Sequence, residues 1–384
     1  MIRIRYIDTF SQGVQHLHFN ASLLVMCSLV ASEVEYLGAQ NITQMAGNPQ
    51  NVFCQKLFVV RGDGRISLIL RYLVSAVLNI WHLMIVPRNT VLIYNQNNLF
   101  STRILNFTNK ILGKSVVIFC HGEMELLVTD PHKGGILHKL LTQLARGFFL
   151  KDDCKIAFST NFFVMGGSVY GNLAKLLTAD KIVHFCQLDH SYVFKRSNNS
   201  ASHATLNLGT VGVLSPIKGG DSLCVLADML KQNNITNVRL SVTGRIICPK
   251  ETLLARGILL PSNGGNAPID QQEFTSRIEA LDYILFFYDK ASYKFTASGA
   301  IMDAIDQRRP IIAIKNDYFT YLFDKFGEFG YLVEDIQEMA ELIVKITNGL
   351  NVRRIFDFES LQAVLSPVAL ANDFKVQLQN IGFI

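Results

Sequence analysis

The stretch TASGAIMDAIDQRRPIIAI, residues 296–314, predicts a loop, a helix and a strand in direct succession. Before it, residues 282–288 form a short apolar and aromatic run without an internal turn residue, which is typical of a buried strand. Thr296 or Ser298 can cap the helix, and Pro310 opens the next strand at a position that need not donate to the sheet. The stretch therefore predicts one strand–helix–strand unit of a parallel sheet.

The loop at the start of this helix has the chemistry of a phosphate site. Small and hydroxyl side chains at 296–299 leave the N–H groups of the helix N-terminus accessible, and the helix dipole makes that end positive. Asp303 follows about one turn later, within reach of a sugar attached to the phosphate. The alternative is a plain crossover loop that binds nothing, and the residues alone leave both interpretations open.

Strands alternate with helices along the chain. Expected strands are 2–8, 56–60, 91–95, 115–120, 155–159, 181–185, 206–214, 238–243, 283–288, 310–315 and 331–333, and expected helices include 14–34, 99–112 and 136–150. Residues 195–203 are polar, rich in Ser and Asn and aperiodic, which is typical of a linker. The pattern predicts an α/β protein with two Rossmann-like, doubly wound domains.

Composition favours a globular protein in a reducing compartment. Of the 384 residues, 49% are hydrophobic and 17% charged, and the length suffices for two domains with a core each. The net charge of +5 suits anionic substrates or a lipid surface and is too weak to indicate nucleic acid. The seven cysteines are scattered and include no C-x-x-C pair, which favours reduced thiols in a cytoplasm and argues against a zinc site.

The longest apolar stretch, 66–86, carries a polar stripe. Arg71, Ser75, Asn79 and His82 are spaced by four, four and three residues, which places them on one helical face. We expect a mostly buried amphipathic helix in or against the first domain, with a membrane-surface helix as the alternative. No convincing secretory signal is present, since polar residues at 11–13 and 16–18 interrupt the apolar pattern near the start.

Polar residues follow the expected strands of the first half, where open α/β sheets bind ligands. His121 and Glu123 come directly after the apolar run 115–120. A histidine and a carboxylate on one tight turn can orient a substrate hydroxyl and take its proton, so we expect these two residues to be catalytic. The alternative is a helix cap and a turn. Further residues expected to contact this substrate are Gln12, Gly13, His16 and Asn95.

The stretch 296–314 resembles the donor-site helix of GT-B glycosyltransferases, in which a small-residue loop, an acidic residue, Ala and a later Pro precede a strand. In retaining family-four members two Glu residues stand eight apart here, and the corresponding positions are Phe295 and Asp303. Residues 212–220 resemble the segment in which an Arg and a Lys bracket the donor diphosphate. Lys218 is kept, and Val213 stands where the Arg is common.

The resemblance implies a nucleoside-diphosphate sugar as donor. The expected donor-binding residues are Lys218, Arg245, Tyr288, Tyr293, Lys294, Thr296, Ala297, Ser298, Gly299 and Asp303. The cations would hold the diphosphate, and Tyr288 or Tyr293 could stack on the nucleobase. No D-x-D motif is present, so we expect no metal and no cofactor; P-loop and dinucleotide fingerprints are also missing.

The resemblance also implies the domain plan and the activity. Two Rossmann-like domains would face each other across a cleft: 1–195 for the acceptor, 206–366 for the nucleotide sugar, and 367–384 as a helix crossing back onto the first domain. The expected function is sugar transfer to a glycan or lipid-linked acceptor in bacterial surface polysaccharide synthesis. We expect a cytoplasmic protein with peripheral contact at the inner membrane face and no nucleic-acid partner.

Two alternatives stay open at this point. One is a sugar-nucleotide epimerase on the same fold, which would need no acceptor. The other is a non-catalytic peripheral assembly component, which the departures at Val213 and Phe295 allow.

Overall fold

The computed structural model describes residues 2–11, 16–62, 64–131, 134–194, 205–288, 290, 293–350 and 354–384. The chain divides into two compact units. Unit 1 contains Met1–Val193, Lys294–Ala297 and Val364–Ile384, and unit 2 contains Phe194–Tyr293 and Ser298–Ala363. Each unit is built on a parallel sheet with helices between the strands, which confirms the expected fold class.

The sheet of unit 1 has the strand order β3-β2-β1-β4-β5-β6-β7. Its strands are β1 (Arg3–Ile7), β2 (Glu33–Gly38), β3 (Val52–Lys56), β4 (Thr90–Tyr94), β5 (Val116–Cys120), β6 (Thr160–Met165) and β7 (Phe185–Leu188). Its helices are α1 (Leu17–Val30), α2 (Gln40–Met45), α3 (Arg65–Ile85), α4 (Leu99–Leu112), α5 (Ile136–Phe149), α6 (Gly167–Leu176) and α7 (Ala179–Ile182). The order reverses between β1 and β4, where sheets of this kind bind ligands.

The sheet of unit 2 has the order β12-β11-β10-β8-β9. Its strands are β8 (Leu206–Val211), β9 (Val238–Thr243), β10 (Tyr283–Phe286), β11 (Ile311–Ile314) and β12 (Gly330–Val333). The helices are α8 (Gly220–Gln232), α9 (Lys250–Leu254), α10 (Gln271–Glu279), α11 (Gly299–Asp306), α12 (Asp317–Phe326), α13 (Ile336–Thr347) and α14 (Phe358–Val364), and α15 (Pro367–Asn380) follows in unit 1.

Two apolar clusters lie on opposite faces of the unit 1 sheet, because successive side chains of a strand point to opposite faces. In β5, Phe119 belongs to one cluster and Ile118 to the other. Helix α15 packs on α1 and adds Phe374, which is fully buried with its ring centroid 5.7 Å from that of Phe163. The last helix of the chain therefore completes one of the two cores of unit 1.

Most expected elements are found, and the differences have local causes. Helix α4 and strand β9 have the expected bounds. The expected helix at 14–34 ends at Val30. Residues 33–38 form β2 instead, whose Val34 and Tyr36 side chains pack in the core. The strands expected at 56–60 and 155–159 are displaced to β3 and β6. The expected strand at 181–185 is mostly the helix α7, in which the Lys181 ammonium group donates to backbone carbonyls, and β7 begins only at Phe185.

The apolar stretch at 66–86 forms α3 with its polar stripe turned inward. All four members of the stripe are buried, namely Arg71, Ser75, Asn79 and His82. The opposite face is exposed, with Val77 at 67% and Trp81 at 52%. The expectation of an amphipathic helix against the first domain is confirmed, but the expectation that it is mostly buried is wrong. Among the described residues, α3 is the one helix that is long and apolar enough to cross a membrane.

Replacing Phe374 by Ala should lower the free energy of unfolding of unit 1 by about 3–5 kcal/mol, because the loss of a buried ring leaves a cavity. The only tryptophan, Trp81, lies in unit 1, so its fluorescence during urea unfolding reports on this unit. Val368→Ala in the same helix is the control. Val368 is 67% exposed, and its replacement should cost less than about 0.5 kcal/mol. Equal losses in the two variants would contradict the packing of α15.

Candidate functional site

The candidate site of unit 1 lies at the carboxyl ends of β4 and β5. These strands are neighbours in the sheet, so the loops that follow them meet at one edge. The loop after β5 carries His121 and Glu123, and the loop after β4 carries Asn95 and Asn97. Both loops contribute to a connected set of hydrogen bonds, although their residues are 26 positions apart in the chain.

Glu123 ties these two loops together. Its carboxylate accepts hydrogen bonds from the backbone N–H groups of Asn97, at 3.3 Å, and His121, at 3.0 Å. Burial raises the pKa of this carboxyl to about 7, while the backbone N–H groups act in the opposite direction. A carboxylate with a pKa near 7 is suited to accept a proton at neutral pH, and each oxygen keeps a second lone pair.

His121 is held as a neutral ring in one tautomer. Its Nε2 lies 2.7 Å from the backbone oxygen of Asn95. A carbonyl oxygen only accepts hydrogen bonds, so Nε2 carries the proton and Nδ1 the lone pair. Burial, followed by the neighbouring His16, lowers the pKa of His121 well below its ordinary value. At neutral pH the ring therefore offers Nδ1 as an acceptor for a substrate hydroxyl.

Two further histidines lie near His121. The ring centroid of His16 is 4.7 Å from that of His121. His190 follows β7. The ring centroid of Phe19 lies 5.7 Å from that of His190 and 4.7 Å from that of His121. Burial lowers the pKa of His190 to about 4, so this ring is also neutral at pH 7. The sequence pattern missed His190 because it placed the preceding strand too early in the chain.

Gln12, Gly13 and Asn95 were also expected to bind the acceptor. Gln12 and Gly13 lie outside the described residues. Asn95 is buried, and its side-chain amide donates to the hydroxyl of Ser11 at 3.3 Å. Asn95 therefore positions His121 through its backbone carbonyl, and its amide is used inside the fold.

In unit 2, the loops after β8 and β9 run side by side. The N–H of Leu214 donates to the carbonyl of Arg245 at 2.8 Å. Where the two loops approach, only glycine fits: a Cβ on Gly244 would lie 2.1 Å from the carbonyl oxygen of Gly212. Lys218 and Arg245 are thus carried by adjacent loops at the carboxyl edge of the sheet, as expected for a pair that could hold one anion.

Lys218 is the more constrained of these two cations. It ends the 3₁₀ turn Pro216–Lys218, and its N–H donates to the hydroxyl of the N-cap Ser215. Its ammonium group lies 6.0 Å from the ring centroid of Tyr293. Burial lowers the pKa of Lys218, since a partly desolvated ammonium group lacks full hydration, and an anionic ligand would offset that cost. Arg245 is exposed.

Of the two tyrosines expected to stack on a nucleobase, Tyr288 belongs to the core. It is 3% exposed, its ring stacks on that of Tyr293 with centroids 3.9 Å apart, and it lies nearly parallel to Phe319. Its hydroxyl is 3.2 Å from that of Ser298. Tyr288 is too buried to receive a base, whereas Tyr293 is half-buried.

Helix α11 begins at the expected loop. Ser298 occupies its N-cap position, but the Ser298 hydroxyl pairs with Tyr288 and does not cap the helix. Gly299 is exposed, and a Cβ added there would meet no atom within 4 Å, so the N-terminus is open to a ligand. Asp303 is half-buried on the same helix.

The segment Lys294–Ala297 belongs to unit 1 and not to the expected second domain. It contains the expected donor residues Lys294, Thr296 and Ala297. Phe295 anchors the segment, because its side chain is buried in the unit 1 core and its N–H donates to Glu125 at 2.9 Å. The amide of Asn172 donates to the Lys294 carbonyl at 3.1 Å. The expected phosphate loop is therefore divided between the two units after Ala297.

Unit 2 also contains a groove of about 810 Å³ at the carboxyl edge of its sheet, lined in part by Ile217, Phe287, Lys290 and Glu334. Lys290 and Glu334 form an ion pair at 2.8 Å, and Lys315 lies 3.5 Å from the same carboxylate. The sequence pattern did not single out these charged residues. Lys315 directly follows β11 and Glu334 directly follows β12, so the strand-end rule could have found both.

No protein-family model and no curated protein matches this sequence. Solved structures match it along its whole length. HepE of Anabaena, in complex with UDP and glucose, has a TM-score of 0.59 at 12% identity, over 99% of this chain and 100% of HepE. OtsA has 0.62 at 9% identity, over 100% of both chains. The lipopolysaccharide outer core galactosyltransferase WaaB has 0.60 at 12% identity, over 98% of this chain and 99% of WaaB.

At such low identity the similarity establishes the fold and leaves the reaction to be argued from the site. The seven-stranded and five-stranded parallel sheets match the architecture shared by these structures. The chain therefore has the GT-B fold, as its resemblance to GT-B glycosyltransferases implied.

Proposed function

We propose that the chain is a glycosyltransferase that moves a sugar from a nucleoside-diphosphate sugar to an acceptor hydroxyl. The observation that carries the proposal is Glu123, a carboxyl with a pKa of about 7 that accepts the N–H of His121 at the carboxyl edge of a GT-B unit. HepE, which shares the fold, has been solved with UDP and with UDP-glucose, which supports a nucleotide sugar as donor.

Unit 2 binds the donor in this proposal. Lys218, Arg245 and the N-terminus of α11 contact the diphosphate, since ammonium, guanidinium and unpaired N–H groups all favour an anion. Tyr293 stacks on the nucleobase, and Asp303 accepts hydrogen bonds from a sugar hydroxyl. The same positive groups stabilise the diphosphate as it departs, so the reaction is proposed to need no metal ion.

Unit 1 binds the acceptor and supplies the base. The Nδ1 of His121 accepts a hydrogen bond from a second hydroxyl of the acceptor and so orients it, and the carboxylate of Glu123 takes the proton of the reacting hydroxyl. The acceptor oxygen forms a bond to the anomeric carbon as the bond from that carbon to the diphosphate breaks. The proton ends on Glu123 and the electron pair on the diphosphate.

The proposed acceptor is a glycan or lipid-linked saccharide of a bacterial surface polysaccharide, on the cytoplasmic side. WaaB, a lipopolysaccharide galactosyltransferase of the same fold, supports this assignment. Incubation with nucleotide sugars tests the whole proposal. Turnover that requires an acceptor supports it, turnover without one indicates an epimerase, and no nucleotide binding indicates a non-catalytic component.

Glu123→Gln should lower kcat about 10²–10⁴-fold with little change in nucleotide affinity, because a general base acts only in the transition state. In the wild type, kcat/KM should rise with pH through about 7 as Glu123 loses its proton, and the variant should lose this rise. His121→Ala should lower kcat and keep the pH dependence. An unchanged kcat would remove the substituted residue from the mechanism. Trp81 fluorescence and thermal melting check that each variant is folded.

Lys218→Ala should weaken nucleoside-diphosphate binding by about ten- to a hundredfold, because a charge-assisted hydrogen bond contributes roughly 1.5–3 kcal/mol. Binding of the bare nucleoside should hardly change, since it has no phosphate. Calorimetry with both ligands makes the comparison. Lys345→Ala is the control, an exposed lysine on α13 of the same unit. Equal diphosphate affinities of wild type and Lys218→Ala would contradict the donor site.

A further inference from the structure

Helix α3 presents an apolar face to the outside of unit 1. Its exposed members recur at helical spacing and comprise Ile66, Ile69, Leu70, Leu73, Val77, Trp81, Met84 and Ile85. At 3.6 residues per turn these side chains lie opposite the buried polar stripe. A helix at the surface of a globular protein normally buries its apolar face, so α3 has the reverse orientation.

Specific polar contacts hold α3 in this orientation. Near its start, the Arg71 guanidinium donates to the carbonyls of Val60, at 2.8 Å, and Gly62, at 2.5 Å. In the middle, the hydroxyl of Thr9 donates to the side chain of Asn79 at 3.0 Å. At the end, the ammonium group of Lys114 donates to the last carbonyls of the helix at 2.7–2.8 Å. The helix is therefore attached along its length, and Arg71, Ser75 and Asn79 of its polar stripe are engaged within unit 1.

The exposed apolar surface extends beyond α3. Helix α4 packs beside α3 and exposes Ile104, Phe107 and Ile111, at 51%, 66% and 71%. These positions are spaced by three and four residues, so they share one face of α4. Single exposed apolar residues are common on protein surfaces. Two neighbouring helices with apolar outer faces form a larger patch, which indicates an interaction surface.

The charge around this surface is one-sided. Between Tyr36 and Gly122 the sequence contains eight lysines and arginines and a single acidic residue, Asp63. Arg65, Arg103 and Lys110 are exposed cations on the two helices themselves. Lys56, Arg61 and Arg88 are exposed cations in the segments that precede and follow α3 in the chain. An apolar face bordered by cations complements a surface with anionic headgroups above hydrocarbon.

We propose that the exposed face of α3 docks unit 1 on an anionic phospholipid bilayer, with the helix lying in the plane of the interface. A membrane-spanning α3 would have to break the contacts of Arg71, Asn79 and Lys114 with unit 1. A second copy of the chain is disfavoured by charge, because a two-fold contact through this face would bring like charges together. The inference does not depend on the proposed transfer reaction, since docking needs neither donor nor acceptor.

The only tryptophan lies within this face and serves as the probe. Vesicles of phosphatidylcholine with phosphatidylglycerol should shift Trp81 emission to shorter wavelength, and brominated lipids should quench it. Vesicles of phosphatidylcholine alone should bind more weakly, and salt should weaken binding to the anionic vesicles. Vesicle flotation gives the bound fraction independently of fluorescence.

Val77→Asp should lower the partition onto anionic vesicles at least about tenfold, because a carboxylate at the centre of the face opposes both burial in lipid and anionic headgroups. Val368→Asp on α15 is the matched control, since Val368 and Val77 are both helical valines at 67% exposure in unit 1. The control should bind like the wild type. Arg65→Glu combined with Arg88→Glu should weaken binding to anionic vesicles only.

Several outcomes would overturn the proposal. Trp81 emission that does not change with any vesicle is one, and equal binding by wild type and Val77→Asp is another. Light scattering that shows a dimer lost in Val77→Asp, without vesicle binding by the wild type, would assign the face to a second copy. Glycosyl transfer in detergent-free buffer is measured separately, so a failure of docking and a failure of the proposed reaction are distinguishable.

Discussion

Parallel strand pairing is the constraint on which both candidate sites depend. Because all strands of a parallel sheet run in one direction, their carboxyl ends collect at one edge. In unit 1, Tyr94 of β4 pairs with Ile7 of β1 on one side and with Ile118 of β5 on the other. This register brings Asn95 and His121 together across a long interval of sequence. A slip by one residue would turn each strand side chain to the other face.

Burial gives the residues at this edge their chemistry. Removal of water disfavours the charged form of any group, so it raises the pKa of the Glu123 carboxyl and lowers the pKa of His121. The backbone N–H groups of Glu123 itself, His121 and Asn97 act against this rise, and the pKa reaches about 7. The same hydrogen bonds that close the turn therefore also keep this carboxyl able to exchange a proton at neutral pH. A residue that only closes a turn and a general base would therefore require the same geometry at Glu123.

Sequence patterns predicted the alternation of elements, the two-unit fold and the edge that carries His121, because these follow from local periodicity and strand ends. They failed where a tertiary contact decides. The buried ring of Phe295 and the hydrogen bond from its N–H to Glu125 attach its segment to unit 1. No local signal in residues 293–297 indicates either contact. His190 was missed because Ile182 and Val183 suggested a strand at 181–185, whereas Ala179–Ile182 form a helical turn and β7 begins only at Phe185.

The orientation of α3 is another feature that a tertiary contact decides and that the sequence pattern did not predict. Periodicity reveals that the helix has a polar and an apolar face, but the default that the apolar face lies inside comes from the hydrophobic effect alone. Here polar partners decide: rotating the helix by half a turn would bury Val77 and Trp81 but strip Arg71 of the carbonyls of Val60 and Gly62. Arg71 would then be hydrated at the surface, but the buried hydroxyl of Thr9 would lose Ser75 and Asn79, and a buried polar group without a partner costs free energy. Hydrogen bonds to unit 1 thus keep the polar face of α3 inward. The apolar face is exposed as a consequence, and the proposed phospholipid bilayer would cover it.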